Sequence, residues 1–170
     1  MHHVKKDQPV RLSYSAVSLF QECRRKYYYT YVRHLELKRI HMPYVMGNTI
    51  HTGIFHILSH VKDYVERSLA FFDAEVKLAR KGLSINAEKE QELIESRSVL
   101  PAMLQSYTVV HKKFISQVEV VHNEKSFAQP INDKYTITGR SDNMVKLKKD
   151  LYFHEIKSAK SITPDYVQSI

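Results

Sequence analysis

The apolar residues of this chain change period near residue 117, and few folds accept both halves of the result. Before that point they recur at helical spacing. Ile50, Ile54, Ile57, Leu58, Val61 and Val65 fall on one side of a helix through "MGNTIHTGIFHILSHVKDYVERS", because residues three and four apart stack on one helix face. An earlier helix is predicted from "LSYSAVSLFQECRRKYYYTYV", with Ser13 or Ser15 capping its free amides. Val17, Phe20, Tyr27 and Tyr31 supply its apolar spacing, and "RHLELKRIHMP" reads as the connector that follows. A third helix covers about residues 69–81 and stops at Gly82, a residue suited to a left-handed C-terminal position. Asn86 caps the next one, which should kink or restart at Pro101, where an amide is lost. Leu100, Leu104, Tyr107 and Phe114 continue a core stripe.

After residue 117 the residues become β-branched and aromatic in "VEVVHNEKSFAQPI", "KYTITGRSDNMVKL" and "LYFHEIKS", the composition of strands. Turn chemistry falls at Gln129–Asp133 and Lys148–Asp150. "ITPDYVQSI" starts one more helix, with Thr163 as cap and Pro164 in its first turn. The expectation is one α/β domain over residues 1–170: a polar lead-in at 1–11, a mainly helical part at 12–116, and a sheet with the start of a helix at 117–170.

Composition narrows the function. Hydrophobic residues make up 43% and charged residues 26%, which is globular rather than disordered. The sequence has neither a long apolar run nor a signal-peptide pattern, so a cytoplasmic protein without a membrane partner is expected. A lone cysteine, Cys23, excludes an internal disulfide framework. The net charge of +8 either serves solubility or favours a polyanion, since neutralising phosphates releases condensed counterions.

The chemistry gathers in "GRSDNMVKLKKDLYFHEIKSAKS", residues 139–161. Glu155 and Lys157 are two apart and share a strand face. A two-residue loop at Lys149–Asp150 pairs 142 with 157 and places Asp142, Glu155 and Lys157 together, whereas a three-residue loop sends Asp142 to the other face. Two readings stay open: an ordinary solvated hairpin, or two carboxylates holding Mg²⁺ or Mn²⁺ with an ammonium beside them.

Several segments together resemble the RecB-type nuclease family of the PD-(D/E)XK superfamily, which has a restriction-endonuclease-like core: a mixed sheet flanked by helices, with a helical amino-terminal half. "SYSAVSLFQECRRKYYYTYV" is similar to its opening helix, "GNTIH" to a Gly-x-x-x-His segment, "GRSD" to a Gly-x-x-Asp strand, "EIK" to the Glu-x-Lys strand and "DYVQ" to the start of a Gln-x-x-x-Tyr motif. The resemblance implies metal ligation by His51, Asp142, Glu155 and the Ile156 carbonyl. It implies catalytic parts for Asp142, Glu155, Lys157 and Gln168. The motif's tyrosine would fall at position 172, beyond Ile170, so the domain is expected to be incomplete at its carboxy terminus. Some relatives hold an iron–sulfur cluster; Cys23 matches its first ligand, and a cluster would require further cysteines outside this chain.

The implied function is metal-dependent cleavage of DNA, as single strands or ends, in recombination, repair or CRISPR adaptation, with a protein partner in such a complex. The rival is a non-catalytic nucleic-acid-binding or assembly protein that keeps the fold. Arg24, Arg25, Lys26, Tyr28 and Arg140 are the nucleic-acid-binding candidates. The plainer readings make Arg24, Arg25 and Lys26 a solvated surface, the tyrosines helix core and rim, Cys23 a small buried hydrophobe, His56 and His60 satisfied structural residues, and Glu124 a solvent-facing carboxylate rather than an accessory acid.

Overall fold

The computed structural model describes residues 9–35 and 39–157. They form an α/β structure with helices and a mixed sheet, compatible with a restriction-endonuclease-like fold. Two compact units are present. One is drawn from Met1–Lys38 and Glu124–Ser141, the other from Arg39–Asn123 and Asp142–Ile170.

The larger unit is organised around α3 (Met42–Leu58), whose predicted face is buried at Ile50, Ile54, Ile57 and Leu58 and extended by Met42 and Val45. Each such side chain contributes about 1.5–3 kcal/mol by leaving water. Around α3 stand α4 (Tyr64–Arg80), α5 (Ala87–Val110) and strand β2 (Val118–Asn123), with the short α6 (Lys112–Ile115) against α5. Phe72, Leu93, Leu100, Leu104, Val118, Val145 and Ile156 join the same core. Gly53 permits the closest approach: a β-carbon there would lie 2.6 Å from Leu104 Cδ2 and 2.8 Å from Ser68 Oγ. The buried hydroxyls of this helix pair donate within their own helices, Thr49 to the Val45 carbonyl at 2.8 Å and Ser68 to the Tyr64 carbonyl at 2.6 Å, so neither is left unsatisfied.

Several sequence expectations change here. The helix expected to run to Ser68 ends at Leu58, because His60 takes a left-handed conformation (φ 57°) and turns the chain; Val65 belongs instead to α4. That helix stops at Arg80, with Gly82 at φ 77° as expected of it. Asn86 caps α5, its Oδ1 accepting from the Lys89 amide at 2.9 Å. Pro101 neither ends nor restarts α5. The lost hydrogen bond is outweighed by burial of Leu93, Leu100 and Leu104 on both sides of it.

The strand segments also divide. "VEVVHNEKSFAQPI" becomes β2 and β3 (Ser126–Asn132), and "KYTITGRSDNMVKL" becomes β4 (Tyr135–Arg140) and β5 (Asn143–Leu147). In each case the two halves enter different sheets. The larger unit's sheet is antiparallel in the order β2-β5-β6, with β6 spanning Asp150–His154. The β5–β6 loop is Lys148–Lys149, one residue earlier than the tight loop considered from sequence, and Lys148 sits at φ 58°.

In the smaller unit, β1 (Val10–Leu12) runs parallel to β4, and β3 pairs antiparallel with the other edge of β4. The expected polar lead-in therefore ends in a strand. The β3–β4 turn is fixed by Asn132, whose Oδ1 accepts from the Lys134 and Tyr135 amides at 2.9 and 3.0 Å. Phe127 lies across Gly139, where a β-carbon would stand 2.4 Å from its ring. The single opening helix is instead α1 (Tyr14–Glu22), capped by Ser13 Oγ at 3.2 Å from the Ala16 amide, then an extended Cys23, α2 (Arg24–Tyr27) and a π-helical turn at Tyr28–Val32. The helix expected to begin at Thr163 and Pro164 lies outside the described residues.

Replacing Gly53 by alanine should cost about 1–3 kcal/mol, because Leu104 is fully buried and has no free space to move into. Urea denaturation of the variant measures this loss directly.

His56 yields a pH prediction. Its Nδ1 is buried with no hydrogen-bond partner among the described residues, in contrast to the satisfied residue expected from sequence. Burial, then the Arg67 charge, lowers its pKa from 6.5 against the opposing pull of Asp63. The unfolded chain thus takes up this proton before the folded one does. The contribution is complete above pH 6.5 and is lost as pH falls below it. Between about pH 7.5 and 5.5 the melting temperature should fall less in His56→Gln than in the parent chain.

Candidate active site

Burial of Ile50 and Ile54 on α3 leaves His51 at the margin of the core, facing the start of β5. Its Nδ1 lies 3.4 Å from Asp142 Oδ1, and the two side chains are 25% and 18% exposed. The other Asp142 oxygen, Oδ2, accepts from the Ile156 amide at 2.7 Å. A hydrogen bond to a carboxylate contributes about 1.5–3 kcal/mol. This one joins the two strand ends where the ladder stops, since its last pair is Asn143 with His154. Continuing that register by one step sets Asp142 across from Glu155, not across from Lys157 as a loop at Lys149–Asp150 implied.

Glu155 and Lys157 alternate outward from buried Ile156, and their side chains contact each other in solvent. The structure therefore brings the expected residues together as two pairs, His51 with Asp142 and Glu155 with Lys157. Among the described residues, no group of three His, Cys, Asp or Glu side chains stands close enough to hold one metal ion. Gln168 lies outside the described residues.

Behind this layer are groups that the sequence did not single out. His154 precedes Glu155 and stands opposite Asn143 in the ladder. Its Nε2 is 3.4 Å from the Tyr107 hydroxyl, and its ring packs on Phe114 with centroids 5.4 Å apart. Burial and the neighbouring His111 lower the His154 pKa, against the raising effect of Asp142 and Glu155. Tyr107 is pushed up to about 12 by burial. Among the described residues, His154 Nδ1 and Asn143 Oδ1 are both buried without hydrogen-bond partners. The available signal was strand alternation, which turns His154 inward whenever Glu155 turns outward.

The nucleic-acid-binding candidates lie in the smaller unit. Arg24 stands over the Phe20 ring at 5.4 Å, Arg25 over Tyr29 at 5.9 Å, and Lys26 pairs with Glu22 at 3.3 Å. Tyr28 is exposed in the π-helical turn. Arg140 pairs with Glu124 at 3.3 Å; Glu124 occupies a turn at φ 49° and not a strand. Cys23 is exposed, which corrects the expectation of a small buried hydrophobe. The break between α1 and α2 turns its thiol outward.

The α/β frame thus holds an aspartate against the backbone of a Glu-x-Lys segment, and the class of the protein follows from its family. The family model of the PD-(D/E)XK nuclease superfamily matches residues 11–167, and the chain belongs to that superfamily. Its members are generally nucleases and typically use divalent metals such as Mg²⁺ or Mn²⁺. No curated protein and no solved structure matches the chain. Among the described residues, no helix is long and apolar enough to cross a membrane.

The Asp142–Ile156 hydrogen bond predicts a split between two substitutions. Asp142→Asn keeps an acceptor for the amide and should stay near the parent stability. Asp142→Ala leaves that amide unpaired and should lose about 1–3 kcal/mol in urea denaturation.

Proposed function

We propose that the chain is a metal-dependent deoxyribonuclease of the RecB type, hydrolysing phosphodiester bonds of single-stranded DNA or DNA ends in the cytoplasm. Recombination, repair or CRISPR adaptation is the setting, together with a protein partner. The observation that carries the reading is the Asp142 carboxylate, bonded to the Glu-x-Lys backbone on one side and facing His51 on the other. His51, Asp142, Glu155 and the Ile156 carbonyl would hold the ion. Their chemistry fits: carboxylate and carbonyl oxygens suit Mg²⁺ or Mn²⁺, and an imidazole favours Mn²⁺ of the two. When bound, the ion supplies Lewis-acid polarisation of the phosphoryl group.

The chain's own residues divide the remaining work. Lys157, held beside Glu155, orients the attacking water and offsets charge that develops on the phosphoryl oxygens. Gln168 supports the site or the DNA. Arg24, Arg25, Lys26 and Arg140 take phosphates. No part is assigned to Cys23, because an iron–sulfur cluster would require additional cysteines.

A second reading is a non-catalytic DNA-binding or assembly protein. It is favoured by the engagement of Glu155 with Lys157 rather than with His51 and Asp142. Cleavage of labelled single- and double-stranded DNA in Mn²⁺ and Mg²⁺ separates the two. The parent chain should cut and Glu155→Ala should not, while DNA affinity persists through phosphate contacts elsewhere. Lys157→Met should slow cleavage by about 10²–10³-fold. Cleavage by Glu155→Ala at the parent rate would remove the site assignment.

A further inference from the structure

The smaller unit has an aromatic surface that it does not use as a core. Ala16 is the one buried residue among its described residues. Three of its rings satisfy each other: Phe20 meets Tyr27 edge-on at 5.3 Å, and Tyr27 stacks on Tyr31 at 5.3 Å. Tyr28 and Tyr29 are left on the surface, 44% and 41% exposed, with their rings 5.6 Å apart at 65°. The turn that presents them is π-helical, with the Arg33 amide donating to the Tyr28 carbonyl at 2.9 Å. Such turns are rare and occur often at functional sites.

The unit that carries them is basic in sequence. The segments that make up this unit hold eleven Lys and Arg against five Asp and Glu, a net +6 of the chain's +8. Arg25 lies against Tyr29 and Arg24 one turn back against Phe20, so each guanidinium is held at the edge of the aromatic surface. A protein partner of this patch would need an acidic and apolar face together. A nucleic-acid strand offers anionic phosphates and flat apolar bases in every residue. The bases of a duplex are already stacked on one another, which leaves the single strand as the ligand.

We propose that Tyr28 and Tyr29 form a base-stacking platform for single-stranded nucleic acid, with Arg24 and Arg25 taking the adjacent phosphates. This rests on the nucleic-acid reading above and adds to it the residues that would hold the unpaired bases. Each stacked ring should account for about five- to a hundredfold in affinity.

The test measures binding by the full chain in EDTA, where cleavage is absent. The ligands are oligo(dT), oligo(U), an abasic deoxyribose-phosphate strand of equal length, and a duplex. The chain has 11 Tyr and no Trp, so quenching of its intrinsic fluorescence reports on stacked tyrosines. Oligo(dT) should quench, and Tyr28→Leu/Tyr29→Leu should weaken its binding at least about tenfold. Affinity for the abasic strand and the duplex should hardly change, and Tyr28→Phe/Tyr29→Phe should restore the parent affinity. Binding of oligo(U) as well as oligo(dT) makes the ligand any single strand, and binding of oligo(dT) alone makes it DNA; both support the platform. Equal loss on abasic and base-bearing strands would make the tyrosines structural and overturn it. Unchanged affinity for every strand would give the patch to a protein partner and overturn it too. A parent chain that binds in this pattern but never cuts would remove the catalytic reading and leave the platform standing.

Discussion

The close approach of α3 to α5 at Gly53 is the contact on which the larger unit rests. Without a β-carbon at that position, Leu104 and Ser68 move to within van der Waals reach of the α3 backbone. The apolar stripe of α3 is then sealed on one side by α4 and α5 and on the other by β2. His51 gains its position from this packing. It lies one residue from Ile50 and three from Ile54, so burying those two leaves its ring little freedom about the helix axis.

Asp142 is fixed by a different device. It stands just outside β5, where ladder hydrogen bonds have ended, and its carboxylate replaces the missing ladder contact by bonding to the Ile156 amide. The strand-end geometry is thus maintained by the same group that faces His51. Beneath it, His154 packs with Tyr107 and Phe114, and burial keeps its imidazole on the neutral side.

The sequence was most legible where one residue type has one local use. Ser13 and Asn86 act as helix caps, Gly82 takes the left-handed position, and the α3 stripe is buried, each for reasons readable in a few neighbouring residues. It was least legible where tertiary packing overrides a local preference. Pro101 argues against a continuous α5, yet burial of leucines on both sides carries the helix through. His60 has no residue-type signal for a left-handed turn. Both long β-segments read as continuous because nothing in their composition states that β3 and β4 leave the sheet of β2 and β5. For the candidate site, Asp142, Glu155 and Lys157 stood out by type and spacing, whereas their register depended on a loop one residue out of place. His154 and Asn143 went unnoticed because inward-facing polar residues leave no mark in an alternating pattern.

The ladder contains a further consequence. Asn123, the last residue of β2, is the direct partner of Asn143 at the start of β5, so their α-carbons lie only about 5 Å apart. The segment Glu124–Ser141, including β3 and β4, leaves and returns through neighbouring points. The excursion is an insertion with adjoining ends, a place where chain length changes at little entropic cost. A shorter connection from Asn123 to Asp142 would leave the β2–β5–β6 register, and the hydrogen bond between Asp142 and Ile156, as they are. A change in the length of Glu124–Ser141 therefore leaves the strand-end carboxylate where it is.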